Sequence, residues 1–463
     1  MKQGTKVNVP NIILITIDSL KCDHLGCYGY PKNTSPNIDA LAGRGVKFTQ
    51  AISNGSQTPM AFPAILASAL PVLVNYENNL MRQDDTLAEI LKKHGYHTAA
   101  FTPSPDLTRF YGYNRGFDVF HDSFRQLSPK GLRIWARIRA KSKRSLDYRI
   151  LARASWLFKP LFLRVRTRHM ISADEITNEA MSWLENSKDK FFLWLHYMDV
   201  HRPYMPEETY LKQFCDQPVS RHEMYSLWRK MIQKPGEISP AEREIIINLY
   251  DADIKYTDTV IGSLLDRLGN RLAGTIVVIT VDHGEELGEH GNFGHHSIYD
   301  GILRVPLIIA GPKIKSGISV NQQVSLMDVT PTIVDLMGGK IVSNFHGRSL
   351  IPSIPGEDNK VGVISTFLNP RIAQRSIAYR IPEWKYICTD RLDDRCLIGE
   401  EVYSLVDDPG ETRNLHNQSN DEANRFELDA KRKIAQFKQL KAEENTDYEK
   451  KRIRAKLDKL GKP

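Results

Sequence analysis

Three apolar runs of this 463-residue chain end directly in side chains that can bind a metal. Asn11–Ile17 (NIILITI) ends at Asp18. Phe191–Met198 (FFLWLHYM) leads into Asp199-Val200-His201, and Thr275–Val281 (TIVVITV) into Asp282-His283-Gly284-Glu285. Carboxylates and imidazoles are the oxygen and nitrogen ligands of divalent cations. A fourth element, Ser56-Gln57-Thr58-Pro59, precedes the apolar stretch Met60–Leu70. Thr58 stands where a helix N-cap belongs, and Pro59 suits the first helical position. A hydroxyl there meets the positive end of the helix dipole, which favours a tetrahedral anion such as phosphate or sulfate. Beside a metal, such a hydroxyl becomes a candidate nucleophile. Each Asp taken alone reads as a strand-end turn residue, and Thr58 alone as a simple cap. The repetition of the pattern on three strands argues for one site.

For these residues to meet, their strands must lie side by side. The three runs are continuous and rich in β-branched residues, as expected for strands buried on both faces of a parallel sheet. Further strands are expected at His97–Phe101 and Val305–Ala310. Helical patterns fall at Ile38–Gly43, Thr86–Lys93, Ala173–Asn186 and Leu249–Leu268. Strands alternating with helices predict an α/β fold with a mainly parallel sheet. Ligands bind at the carboxyl ends of the strands of such a sheet, which brings Asp18, His201, Asp282 and His283 to one edge. Beyond about residue 345 short strand patterns at Gly362–Thr366, Ile377–Tyr379 and Trp384–Thr389 predict a small α+β subdomain. The expected organisation is a catalytic domain over 8–345, a subdomain over 346–420 and a charged helical tail over 421–463.

Composition narrows the function. The chain is 41% hydrophobic and 25% charged, an ordinary globular balance. No apolar run reaches the length of a membrane span. The N-terminal Met1–Lys6 lacks the form of a cleavable signal peptide, so a cytoplasmic location is expected. Cysteines 22, 27, 215, 388 and 396 form no disulfide framework and no zinc-finger spacing. Fourteen Lys and Arg residues lie between Arg125 and Arg168 against one acid, Asp147. This insert, over about 125–170, carries more than the whole net charge of +8. The remainder is mildly acidic, so nucleic-acid binding is not expected. Three readings of the insert stay open: a packed helical hairpin, peripheral contact with an anionic membrane, or a lid that gathers an anionic substrate.

Several stretches resemble the sulfatase family of the alkaline phosphatase superfamily. They are Asn11–Tyr30 (NIILITIDSLKCDHLGCYGY), Asn37–Phe48, Ser56–Ser68, Asp282–Pro306, Phe345–Leu350 (FHGRSL), Trp384–Ile387 (WKYI) and Val402–Leu415, in the family's order over roughly 8–416. The resemblance implies an alkaline-phosphatase-like fold: a mainly parallel central sheet flanked by helices, with the small C-terminal subdomain. It makes Asp18, Asp282 and His283 metal ligands and puts Thr58 at the nucleophile position, binding the same ion. It gives His201 a role at the ester or leaving group, and sets His295 over the anion. Lys21 is a candidate local positive charge, and His290, near the proposed site, a candidate ligand of a second metal or a residue supporting the first one's ligands.

The chain also departs from that family. Dedicated sulfatases carry Cys or Ser within Cys/Ser-x-Pro-x-Arg and convert it to formylglycine. Here the stretch is Thr58-Pro59-Met60-Ala61-Phe62, and threonine has no route to formylglycine. The usual paired Asp-Asp is Asp18-Ser19, and the later Asp-Asn is Asp282-His283. Exchanging a carboxylate for an imidazole favours Mn²⁺ or Zn²⁺ over Ca²⁺ or Mg²⁺. The expected activity is a metal-dependent hydrolase of phosphate, phosphonate or sulfate esters, acting on an anionic ester through Thr58. The alternatives are a phosphoryl-group transferase acting on a lipid or glycan, and a catalytically weak binding protein on the same scaffold.

Overall fold

A computed structural model describes residues 9–71, 73, 80, 85–123, 171–187, 190–340, 344–351, 361–369, 372–392 and 396–459. The basic insert 125–170, with its proposed membrane and lid roles, lies outside the described residues. Among the described residues no helix is long and apolar enough to cross a membrane.

Eight strands form the main sheet: β1 (Asn11–Ile17), β2 (Gly45–Ile52), β3 (His97–Phe101), β4 (Val119–His121), β5 (Phe191–Tyr197), β6 (Thr275–Val281), β9 (Arg304–Ala310) and β10 (Ile318–Ser325). Between β6 and β9 lies the two-residue pair β7 (Glu286–Leu287) and β8 (Phe293–Gly294). The sheet order is β10-β2-β9-β6-β1-β5-β3-β4. All neighbours run parallel except β9, which is antiparallel to both β2 and β6. The fold is therefore α/β with a mainly parallel sheet, and β1 sits near its centre. Every residue of β5 and β6 is buried, because helices cover both faces.

The long helix is Pro240–Leu268, nine residues longer at its start than its periodicity indicated. Its beginning is fixed by a capping box: Ser239 Oγ accepts from the Glu242 N–H while Glu242 reaches back to the Ser239 N–H. Three acidic residues of this helix, Asp251, Asp253 and Asp258, are buried. Asp251 holds His24 at 2.7 Å, the Tyr30 hydroxyl at 2.7 Å and Lys32 at 3.0 Å. Asp258 accepts the backbone N–H groups of Asn37 and Ile38, the start of the helix Pro36–Gly43. Asp253 accepts the Met205 N–H. These carboxylates fasten the loop after β1 and the chain after β5 to one helix.

The C-terminal sheet is an antiparallel meander of β11 (Val363–Asn369), β12 (Gln374–Arg380), β13 (Trp384–Arg391) and β14 (Leu397–Ser404). The helix Asp421–Lys459, read from its charge as a tail, buries Ala423, Phe426, Ala430, Ile434 and Phe437 with Tyr379, Tyr386 and Val402. Their spacing of three and four is one helical face.

Two devices join this subdomain to the main sheet. Gly55 forms a bridge with Thr366 of β11, where Thr366 N–H donates to Asn54 O and Ser56 N–H to Thr366 O. The second is a buried charge cluster. Asp300 accepts from Arg380 at 2.8 Å and Lys385 at 2.9 Å, and Lys385 also meets Glu411 at 2.8 Å. Burial would raise the Asp300 pKa, but Arg380 and Lys385 outweigh it and hold the carboxyl far below its ordinary range. Asp300→Asn leaves two buried cations short of a partner and should cost about 3–5 kcal/mol of stability, read by urea unfolding at pH 7. An unchanged midpoint would show that Glu411 alone compensates Lys385 and Arg380.

Candidate active site

Sheet register sets the site. Ile17 of β1 lies opposite both Tyr197 of β5 and Val281 of β6. The next residues are therefore level, and Asp18 and Asp282 emerge side by side at the carboxyl edge. Asp18 N–H donates to Tyr197 O at 2.8 Å, extending the ladder by one residue. Ser53, at the end of β2, donates its hydroxyl to Asp282 O. Both carboxylates are buried, at 1% and 0% exposure.

His283 completes the group. Its Nε2 lies 3.7 Å from Asp18 Oδ1 and 3.5 Å from Asp282 Oδ2. Its Nδ1 pairs with Gly284 O at 3.0 Å. A carbonyl can only accept, so Nδ1 carries a proton and the Nε2 lone pair is turned to the carboxylates. Thr58 is fully brought in: its Oγ1 is 3.3 Å from Asp18 Oδ2 and 3.5 Å from His283 Nε2. Donor atoms around one cation at about 2.0–2.2 Å lie roughly 3–4 Å apart, which these separations match. Asp282 Oδ2 is buried without a hydrogen-bond partner. Asp18, Asp282, His283 and Thr58 therefore fit a divalent cation.

The helix carrying Thr58 begins one residue earlier than expected. Gln57 is the N-cap, and Thr58 is the first residue of Thr58–Ala67. Pro59 has no N–H, and the N–H groups of Met60 and Ala61 are bonded to Gln57 O. The helix thus offers its dipole to the site rather than a row of open donors.

Outside this core stand His201 and His295, their rings 5.3 Å apart, with His295 4.4 Å from His283. His201 Nδ1 pairs with Arg202 O at 2.6 Å, which leaves Nε2 as the atom able to exchange a proton. His295 Nδ1 is 3.4 Å from Glu285 Oε2. The Arg202 guanidinium lies 3.9 Å from the same carboxylate and bonds Phe293 O and His296. Gly294, at φ +108°, makes room for it, since a Cβ there would overlap the guanidinium.

Electrostatics follow burial and charge. Burial tends to raise Asp18, but His201, His196 and His283 outweigh it and hold the carboxyl well below its usual range. Burial and then the Asp18 charge push Asp282 up. Burial and His283 depress His295 to about 3, so it is neutral at pH 7. Against its own burial, Glu285 is held down to about 2 by His295 and Arg202.

Two sequence candidates fall elsewhere. His290 pairs with Glu286 at 2.8 Å and Gly410 O at 3.0 Å and stacks on Tyr299. Lys21 is buried against Glu289 at 3.3 Å. Sequence reasoning passed over His196, on β5, and gave Glu285 and Arg202 no role. A lone imidazole inside the apolar run FFLWLHYM was the available signal for the first.

A family model described as Sulfatase matches residues 10–339, and one described as N-sulphoglucosamine sulphohydrolase, C-terminal, matches residues 288–439. The chain is 24% identical to a sulfatase of Formosa agariphila over 96% of this chain and 88% of that one. It is similar in structure to the phosphonate monoester hydrolase of Agrobacterium radiobacter, at TM-score 0.67 and 19% identity over 93% of this chain and 96% of that one. A second solved relative, in complex with its substrate D-glucosamine-2-N,6-O-disulfate, aligns at TM-score 0.66 and 20% identity over 95% and 98% of the two chains.

The buried carboxylate pair yields a test. Asp282→Asn keeps an oxygen for the His283 N–H, which now donates to Asp282 Oδ1 at 3.0 Å, and removes the like-charge contact with Asp18. In chelator the variant should unfold at a higher temperature than wild type, by roughly 1 kcal/mol or more of stability. With excess Mn²⁺ or Zn²⁺ that order should reverse, because only wild type keeps the full ligand set. A variant less stable than wild type in chelator would contradict the electrostatic reading.

Proposed function

The chain belongs to the sulfatase family, and from that premise we propose that it is a metal-dependent hydrolase of phosphate, phosphonate or sulfate esters in which Thr58 is the nucleophile. The observation that carries this reading is the seat of the Thr58 hydroxyl, 3.3 Å from Asp18 Oδ2 and 3.5 Å from His283 Nε2. No other hydroxyl of the described residues is bonded to this pair of groups apart from Ser19, which donates to Asp18 Oδ1 at 2.9 Å. Asp18, Asp282, His283 and Thr58 would hold the cation. Bound there, a Mn²⁺ or Zn²⁺ ion supplies the positive charge that acidifies a neighbouring hydroxyl and steadies an ester oxygen.

The remaining work belongs to the chain. The dipole of the helix Thr58–Ala67 favours an anionic ester at its start. Asp18 accepts the Thr58 O–H and orients its oxygen; Thr58 gives that proton up to solvent and attacks phosphorus or sulfur in line, which breaks the bond to the alcohol oxygen and leaves a phosphoryl or sulfuryl ester on Thr58. His201, with Nδ1 tied to Arg202 O, gives a proton from Nε2 to the departing oxygen. His295, held neutral, hydrogen-bonds the ester rather than protonating it. Water then attacks the Thr58 ester, losing one proton to His201, and Thr58 leaves as the alkoxide that begins the next turnover. A threonine ester forms and breaks without the formylglycine hydrate on which dedicated sulfatases rely, which favours phosphoric over sulfuric esters.

The experiment is turnover of matched aryl phosphodiester, phosphonate monoester and sulfate ester by wild type, Thr58→Ala and Thr58→Ser. Thr58→Ala should lose roughly 10³-fold or more in kcat with its metal-free unfolding unchanged. Thr58→Ser should keep part of the activity, and phosphorus esters should be the better substrates. Near-native turnover by Thr58→Ala would move the nucleophile away from Thr58.

A further inference from the structure

One imidazole at the site has no role so far. His196, the sixth residue of β5, is 0% exposed, and its Nε2 has no hydrogen-bond partner. A buried nitrogen in that state carries a desolvation cost that an apolar side chain in the same strand would not incur. Its surroundings are built to hold the ring. Phe62 meets it edge-on, with centroids 5.1 Å apart, and Trp194 lies 5.5 Å from Phe62. On the other side Nδ1 is 3.0 Å from Thr16 Oγ1, which also accepts the Trp194 indole N–H at 3.0 Å. Nε2 is the free end, and it faces Asp18 Oδ2 at 3.8 Å.

We propose that His196 is a positioning residue for the Asp18 carboxylate: Thr16 turns its single hydroxyl proton to Nδ1, 3.0 Å away, in place of Leu195 O at 3.2 Å, the imidazole proton sits on Nε2, and that N–H restrains Asp18 Oδ2 in the orientation needed to bind the cation. The proposal rests on the reading of Asp18 as a metal ligand. The imidazole is not itself a ligand, because the cluster whose donor atoms all lie within 4.8 Å of one another comprises Asp18, Asp282 and His283 and omits His196. At 3.8 Å the contact is an ion-pair distance, and closing it by under about 1 Å makes a hydrogen bond. The two Asp18 oxygens are then held from different sides. Ser19 Oγ donates to Oδ1 at 2.9 Å, and Thr58 and His196 converge on Oδ2. Carboxylate ligands are oriented by such outer hydrogen bonds, and losing one costs about 10–100-fold in metal affinity. Phe62, at the position of the motif arginine, contributes only an apolar wall, so the polar restraint on this side of the site comes from β5.

The test is metal affinity, by calorimetric titration of the full chain with Mn²⁺ and Zn²⁺. His196→Phe fills the aromatic pocket without an N–H, His196→Leu does so with a smaller side chain, and His196→Gln restores an N–H at similar reach. Metal-free thermal unfolding of each variant establishes which ones fold. The Phe variant, or the Leu variant if Phe does not fold, should bind about 10–100-fold more weakly, and Gln should recover most of the loss. Wild-type affinity in the apolar variant overturns the proposal, as does a Gln variant as weak as the apolar one, because either result reduces His196 to packing. Wild-type chain that takes up neither metal overturns the metal reading itself, and this inference with it.

Discussion

Two carboxylates buried side by side constrain everything around them. Asp18 and Asp282 leave adjacent parallel strands at the same register, and neither reaches solvent. Their ion-pair partners are imidazoles, those of His196 and His283. A like-charge pair in a low-dielectric interior is costly, and a folded chain keeps one where positive charge is supplied to it. The hydroxyl of Thr58 joins the same pocket with its oxygen toward both groups. The proposed ester hydrolysis and the proposed cation both rest on that one electrostatic arrangement.

The fold holds the arrangement from two directions. From below, the parallel ladder β6-β1-β5 fixes the levels of Asp18 and Asp282, and burial on both faces leaves no slack for a register slip. From the side, the C-terminal sheet braces the turn that carries Thr58. The bridge from Gly55 to Thr366 and the bonds of Asn54 and Ser56 to β11 set that turn before its helix begins. The Asp300 cluster then locks β12 and β13 to the segment after His295. The small subdomain therefore bears on the placement of Thr58, although none of its described residues joins the cluster of Asp18, Asp282 and His283.

Much of this was legible in the sequence where the signal was local. β1, β5 and β6 are unbroken apolar runs, and the ligand types directly after them marked the site edge. The structure brings Asp18, Thr58, Asp282 and His283 together, with the rings of His201 and His295 beside them. Residues with long-range partners were less legible. The buried roles of Asp251 and Asp258 are not legible, because nothing near them in sequence announces His24, Lys32 or the Asn37 N–H. β2 (GVKFTQAI), β10 (ISVNQQVS) and β14 (LIGEEVYS) carry mixed patterns, since each has a less buried side or edge. The charge of Asp421–Lys459 hid its apolar face. His196 was overlooked because, within an apolar strand, an imidazole is indistinguishable from core until its unpartnered nitrogen is seen beside Asp18.

Anomalous scattering tests the central claim most directly. Crystals of the protein grown with Mn²⁺ or Zn²⁺, with data collected on both sides of the metal's absorption edge, locate any bound ion without assumption about ligands. The account predicts a peak bounded by Asp18, Asp282, His283 and the Thr58 hydroxyl, at about 2.0–2.2 Å from their donor atoms. A peak confined to another part of the molecule, or density at this site explained by water alone at saturating metal, would contradict it.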